Sequence, residues 1–337
     1  MDDYRRLGST GTKVSPICFG AGRFGQRTSG VLEIDRETAH AMLDAYDERG
    51  GNFIDTANMY GQPGGGPRTG TSEEYIGEWL EGRDRDRYVI ASKVYMRVGD
   101  GPNEYGLSRK HVREEIEGTL DRLGTDYVDI YYIHRWDEET PIQETLATLD
   151  WLVEDGRVNY LGASSMAAWQ LAKAMWKSEA NGHEQFTVTQ PMFHAAYRDS
   201  EDYLDLCEDQ GLAVCPHSPL AGGMLTGKYE RGPDGEAIGP DGSRAEILDR
   251  FQRSYVDERA WRVADAVESV AAEADATPAQ VALRWLMDRD RFQCIPVVGA
   301  RTVDQLTENL AAADLSLTDD QRDRITDARE AEIDSTA

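Results

Sequence analysis

The sequence predicts an α/β fold: a (β/α)8 TIM barrel with an N-terminal β-hairpin and long loops on its catalytic face. Three observations carry this. Short apolar runs alternate with amphipathic ones, the alternation repeats eight times, and the apolar runs end repeatedly on a glycine or a polar residue. Period alone does not separate a barrel from an open sheet, but eight successive units favour closure. The 337 residues, 40% of them apolar, suffice for a large core, and residues 1–337 are read as one domain.

The segment YRRLGSTGTKVSPI opens the chain as a hairpin that turns at residues 8–12 and caps one barrel end. The first strand, ICFG (17–20), runs into GAGRFG (20–25). That string fits G-x-G-x-x-G, but a dinucleotide-binding turn needs a helix opening inside it, with its N-terminus at the pyrophosphate. QRTSG (26–30) has no apolar period and the first helix begins near residue 35, so the glycines are read as backbone freedom at a strand end. The remaining strands are NFID (52–55), YVIASK (88–93), YVDIYYIH (127–134), NYLGAS (159–164), FTVTQ (186–190), LAVCPH (212–217) and FQCIPVV (292–298). Helices are expected at 36–49, 72–82, 108–123, 141–155, 166–179, 200–210, 278–290 and 302–312. Thr140-Pro141 and Thr277-Pro278 each pair a cap with proline at the first helical position, whereas Ser72 has Tyr75 where a capping box wants Glu. Two Gly/Pro-rich stretches interrupt the theme, 61–70 and 230–254; both follow strands and are read as loops on the catalytic face, the second as mobile.

Barrel chemistry gathers at strand C-terminal ends. Those positions hold Gly20 and Gly22, Asp55, Lys93, His134, Ser164, Gln190, His217 and Gly299. Each alone has an ordinary reading, as a helix cap, a solvated amine or a core histidine; their recurrence at strand ends points to one pocket. Tyr60 lies five residues past Asp55 in DTANMYG. A phenol keeps its proton to about pH 10, and a neighbouring Lys93 ammonium is expected to lower that value, with Asp55 holding the amine charged. Such a Tyr protonates a carbonyl oxygen while hydride reaches the carbon, and His134 hydrogen-bonds the same oxygen. The six histidines lack H-x-x-x-H or H-E-x-x-H spacing, so no metal is expected.

These pieces resemble the aldo-keto reductase family across the whole chain. The resemblance rests on DTANMYG (55–61), ASK (91–93), GPNEYGLSRKHV (101–112), YIHRWDEETPIQETL (132–146), GRVNYLGASSM (156–166), SPLAGGMLTGKY (218–229) and GARTVDQLTENL (299–310), in order. It points to the branch of aryl-alcohol dehydrogenase-like reductases and potassium-channel β-subunit-like proteins. It implies NADPH (NAD less so) lying extended across the barrel mouth and a catalytic tetrad of Asp55, Tyr60, Lys93 and His134. It further implies that Ser164 and Gln190 hold the nicotinamide carboxamide, that Ser218, Leu220, Gly222 and Lys228 follow the pyrophosphate, and that Gly299, Arg301, Gln305, Glu308 and Asn309 hold the adenosine. Gly20 and Gly22 let the first strand's exit approach the nicotinamide side, with Arg23 and Phe24 near substrate or ribose. A phosphate suits the N-terminus of helix 302–312, and Arg301 suits a 2′-phosphate, which favours NADP. The family usually has an aromatic where His217 stands; imidazole is smaller and can charge, so cofactor binding is expected to be weaker or pH-sensitive. Pro191 stands where the branch usually has Asn. Phe24, Met59, Tyr95, Trp136 and Phe193 are candidates for an apolar substrate pocket.

The leading reading is thus an aldehyde or ketone reductase with Tyr60 as acid; the alternative is a cofactor-sensing subunit with little turnover. A carboxylate-pair hydrolase ranks lowest, because Asp55 has no second acid at a neighbouring strand end. The net charge of −26, with 30 Arg but 6 Lys, repels nucleic acid and anionic membranes and is read as adaptation to high salt. No apolar run approaches the ~18 residues of a membrane span, MDDYRRLGST has no secretory apolar stretch, and the four cysteines show no paired spacing; a reduced cytoplasm is expected.

Overall fold

A computed structural model describes residues 1, 3–28, 31–61, 70–197 and 201–331. Eight parallel strands form its central sheet: β1 (Cys18–Gly20), β2 (Phe53–Asp55), β3 (Val89–Val94), β4 (Val128–Ile133), β5 (Val158–Ser164), β6 (Phe186–Gln190), β7 (Ala213–Val214) and β8 (Val297–Val298). Neighbours in sequence are neighbours in space, and β8 returns to pair with β1 through Val297–Cys18 and Val298–Phe19. The last gap, between β7 and β8, closes through Ile295 N–H to Val214 O at 2.8 Å and Val297 N–H to Pro216 O at 3.0 Å. The seventh and eighth strands are shorter than the sequence suggests. Pro216 and Pro296 supply carbonyls but no N–H, so each ends the regular ladder there.

The core has two layers. Inside the ring lie Phe53, Val89, Ile130, Tyr132, Val188 and Cys215 among others, floored by Leu7 and Val14 of the opening hairpin (Arg5–Arg6 with Lys13–Val14). The expected cap is therefore present at the strand N-terminal ends. Gly162 makes room for the Tyr132 ring: a Cβ there would meet ring carbons at 2.3 Å. Between ring and helices lies the larger apolar layer.

The helices are α1 (Arg36–Glu48), α2 (Thr71–Leu80), α3 (Arg109–Leu123), α4 (Ile142–Glu154), α5 (Ala168–Asn181), α6 (Glu201–Asp209), α7 (Arg244–Ile247), α8 (Asp249–Tyr255), α9 (Glu258–Glu273), α10 (Pro278–Met287), α11 (Val303–Leu310) and α12 (Asp319–Glu330). Thr277 and Gln280 form a full capping box with Pro278 at the first position of α10, as its sequence suggests. Thr140 does not cap α4; its hydroxyl donates to Asp137 Oδ2 at 2.7 Å and Pro141 takes the cap position. Ser72 lies inside α2 and donates instead to Ala21 O at 2.9 Å.

Helices α9 and α12 lie outside the helices expected from the sequence, and the 230–254 stretch is not a structureless mobile loop. It holds a hairpin (Glu230–Arg231 with Ala237–Ile238) followed by α7 and α8. Gln252 pins the hairpin to α8, accepting from Ala237 N–H at 3.0 Å and donating to Ala237 O at 2.8 Å. Trp261 of α9 adds an indole N–H bond to Gly235 O at 2.8 Å. The other interrupting loop, 61–70, falls almost wholly outside the described residues.

Candidate active site

Asp55 ends β2 and Lys93 lies near the end of β3, with Asp55 in register with Ala91, so both side chains enter the mouth at one level. Tyr60 follows a short turn in which its N–H reaches Ala57 O at 3.0 Å. The start of α2 then fixes its carbonyl, through Gly70 N–H at 3.1 Å and Ser72 N–H at 3.2 Å. Gly22 backs the Tyr60 ring, close enough that a Cβ there would sit in ordinary contact with ring carbons at 3.5 Å.

The Lys93 ammonium is fully buried and uses its three donors on Asp55 Oδ2 at 2.5 Å, Thr56 O at 2.8 Å and Tyr60 Oη at 3.2 Å. The other Asp55 oxygen accepts from Gln190 Nε2 at 2.8 Å. Burial disfavours the ammonium, but Asp55 and Tyr60 outweigh it and the Lys93 pKa rises above its ordinary value. The amine is therefore charged.

Tyr60 departs from expectation. Burial raises its pKa, Lys93 pulls it down and Asp55 pushes it up again, and the balance lies above the ordinary phenol value. The lowering expected from Lys93 is present but is outweighed by burial, with Asp55 adding to the rise. Since Lys93 donates to the phenol oxygen, the Tyr60 proton is left to point elsewhere.

His134 stands edge-on to Tyr60, ring centroids 5.8 Å apart, and its buried Nδ1 has no partner. Burial, then Lys93, His217 and Arg135, drives its pKa well below the ordinary imidazole value, so the ring is neutral. His217 is likewise pushed down, to about 4, by burial and by Lys93. The expectation that this imidazole can charge is not met around neutral pH: burial first, and then the same ammonium, keep it neutral.

Ser164 and Gln190 are paired in register at the ends of β5 and β6, with Ser164 Oγ donating to Gln190 O at 2.9 Å. Beyond His217 the chain turns through Ser218, whose Oγ accepts from Tyr255 at 3.2 Å, and through Leu220 to Gly222. Gly222 has φ 67°, and a Cβ there would meet the Tyr255 ring at 3.0 Å. Its carbonyl accepts from Arg244 Nη1 at 3.1 Å. Gly299 follows β8, and Arg301 begins the turn into α11, its N–H bonded to Gln305 Oε1 at 3.0 Å. Asn309 is buried on that helix, while the Glu308 side chain is exposed and its carbonyl accepts from Gln280.

One side of the mouth is strongly basic. Burial, then Arg23 and Arg301, pushes Arg244 down to about 10. Burial, then Arg244 and Arg301, lowers Lys228. Glu33 pairs with Arg23 at 2.7 Å and stands 4.0 Å from Arg301. Arg244 and Tyr255 escaped sequence reasoning because the surrounding glycines and prolines masked them. The spacing of Ile247, Phe251 and Tyr255, four apart, was the helical signal within that stretch.

The substrate-pocket set does not gather as expected. Phe24 is buried against Phe19, centroids 5.6 Å apart, and Phe193 is buried near Trp285 and Phe292 at 6.0 and 6.5 Å. Both fill the helix-facing layer, since a full ring of apolar surface packs there more favourably than at an open mouth. Trp136 packs on Trp169 at 5.9 Å, and Tyr95 bonds its hydroxyl to Tyr105. Met59 is half-buried beside Tyr60 in sequence.

Among the described residues no group of three or more His, Cys, Asp or Glu is arranged to hold a metal ion, and no helix is long and apolar enough to cross a membrane.

Residues 16–330 match the aldo/keto reductase family. The chain is 33% identical to the norsolorinic acid reductase of Aspergillus flavus, over 96% of this chain and 81% of that protein. It is 34% identical to an aryl-alcohol dehydrogenase [NADP(+)] of Phanerodontia chrysosporium, over 94% and 83%. It is 33% identical to a probable voltage-gated potassium channel subunit beta of Oryza sativa subsp. japonica, over 93% and 91%.

Proposed function

The chain belongs to the aldo/keto reductase family and is an oxidoreductase acting on carbonyl groups; on that premise we propose that it reduces an aldehyde or ketone with NADPH, and that Tyr60 is the proton donor. The observation that carries this reading is the Lys93 ammonium. It is buried, charged and bonded to both Asp55 Oδ2 (2.5 Å) and Tyr60 Oη (3.2 Å).

The residues present suit a dinucleotide phosphate. Arg23, Arg244, Arg301 and Lys228 crowd positive charge beside Glu33, which pairs with Arg23, and Gly222 leaves a cradle that a Cβ would fill. A 2′-phosphate on Arg301 or its neighbours favours NADPH over NADH. Ser164 and Gln190 would take the carboxamide, Leu220 and Ser218 the pyrophosphate stretch, and Gln305, Glu308 and Asn309 the adenosine. When bound, the cofactor supplies the hydride.

The protein's own part is proton delivery and orientation. Tyr60 keeps its proton through neutral pH, because burial raises its pKa. Its oxygen accepts from Lys93, so its O–H is free to donate to the substrate oxygen. As that proton leaves, the ammonium already in place stabilises the phenolate. Gln190 and Asp55 hold the ammonium in position. Neutral His134 has one N–H to donate to the same substrate oxygen, which fixes the carbonyl without competing for the Tyr60 proton.

The test is Tyr60→Phe, assayed in molar KCl with a panel of aldehydes. Turnover is expected to fall roughly 10²–10⁴-fold while NADPH affinity stays within about two-fold. Turnover kept within a few-fold refutes the assignment. Similarity to the rice channel subunit supports a second reading, a cofactor-binding subunit; saturable NADPH binding with no consumption across the panel selects it.

A further inference from the structure

At the barrel end opposite the tetrad a second cavity, of about 580 Å³, opens beside the hairpin floor. Its walls are the hairpin at Arg5, Gly8 and Ser9, the turn before β7, and the 287–293 segment leading into β8. That volume lies within the range of small-molecule sites. Its distinguishing feature is charge.

Arg5 and Arg289 both line the cavity, and neither has a carboxylate partner among the described residues. Arg5 spends Nη1 on the carbonyls of Met287 at 2.8 Å and Cys294 at 3.1 Å. Arg289 stacks its guanidinium 4.0 Å above the Trp285 ring, and its buried Nε has no hydrogen-bond partner. The third arginine, Arg291, is already committed, at 2.5 Å to Asp205 and 2.8 Å to Glu208. Of the acids in the lining, Glu208 is held by Arg291 and Asp290 is exposed at the rim, while Asp3 and Asp288 act on Arg5 from beyond ion-pair distance. Leu212, Met287 and Phe292 add an apolar wall.

Two guanidinium groups that line one cavity without an acid at ion-pair distance suit an anion. A guanidinium fork matches the planar oxygen pairs of phosphate and carboxylate.

We propose that this floor cavity binds a small molecule bearing an oxyanion, phosphate or carboxylate, held between Arg5 and Arg289. Bound there, the anion ties together the hairpin, the turn before β7 and the entry to β8, the three pieces that close the barrel floor. The site lies at the strand N-terminal ends, away from the tetrad, so it does not depend on the cofactor reading.

Isothermal titration of the full chain with inorganic pyrophosphate, and separately with citrate, at matched ionic strength tests this. A saturable one-to-one component is expected with at least one probe, and the probe that binds names the oxyanion. Arg289→Gln is expected to weaken that component at least about ten-fold, whereas Arg301→Gln, in the basic cluster at the other end, leaves it unchanged. Should Arg289→Gln fail to fold, Arg5→Gln is read in the same way. No saturable binding of either probe to the wild-type chain up to about 10 mM overturns the proposal. So does an isotherm that Arg289→Gln leaves intact.

Discussion

Two lysine–carboxylate pairs in this molecule have nearly the same geometry and opposite surroundings. Lys93 meets Asp55 at 2.5 Å with side-chain exposures of 0% and 4%; Lys110 meets Glu114 on α3 at 2.7 Å with exposures of 64% and 58%. Contact distance therefore does not distinguish them; water does. Around Lys110, solvent screens the charges and replaces either partner when it is removed. Around Lys93 there is no solvent, so each oxygen within reach becomes part of a fixed circuit from Gln190 to Tyr60.

The largest way to break the contrast is Lys93→Met. It leaves the Asp55 carboxylate buried without its counter-charge and Tyr60 without its ammonium. The expected outcome is a stability loss of about 3–5 kcal/mol by denaturant unfolding, with turnover down about a thousand-fold. The sign with pH follows from the raised pKa of Lys93. Its stabilising contribution is complete below the unfolded-state value of about 10.5 and is lost as pH rises through the higher folded value. A Lys93→Met chain of wild-type stability breaks the comparison.

A smaller effect sharpens it from below. Gly162→Ala puts a methyl 2.3 Å from the Tyr132 ring, inside the ring of strands beneath the circuit. Overpacking there is expected to cost about 1–3 kcal/mol in stability. The smallest effect belongs to the exposed pair: Lys110→Ala is expected to move the melting temperature by no more than about 2 °C. A larger shift would mean that exposure is a poor guide to what these pairs contribute.

The same contrast explains what the sequence disclosed. Asp55, Lys93, His134, Ser164 and Gln190 were legible because each closes an apolar run, and a barrel sends all such ends to one mouth. The eight strands followed from their β-prone runs, though Pro216 and Pro296 shortened two of them. The direction of the Tyr60 shift was not legible. It depends on how much burial outweighs a neighbouring charge, and on how far Asp55 cancels that charge, which are three-dimensional quantities. For the same reason His217 looked titratable and is held neutral. Phe24 and Phe193 were apolar residues beside strand ends, and nothing in their spacing separated mouth from core. Helices α7 and α8 hid among glycines and prolines, and Arg244, the guanidinium nearest the Gly222 turn, hid with them.

The central claim is that Tyr60 serves as a neutral acid whose proton is kept by burial and whose oxygen is held by Lys93. The pH dependence of kcat/KM for aldehyde reduction tests it most directly. The account predicts a profile level from about pH 7 to 9, falling only above the ordinary phenol value of about 10. A fall centred near pH 7 or 8, the mark of a phenol acidified by its amine, would contradict it.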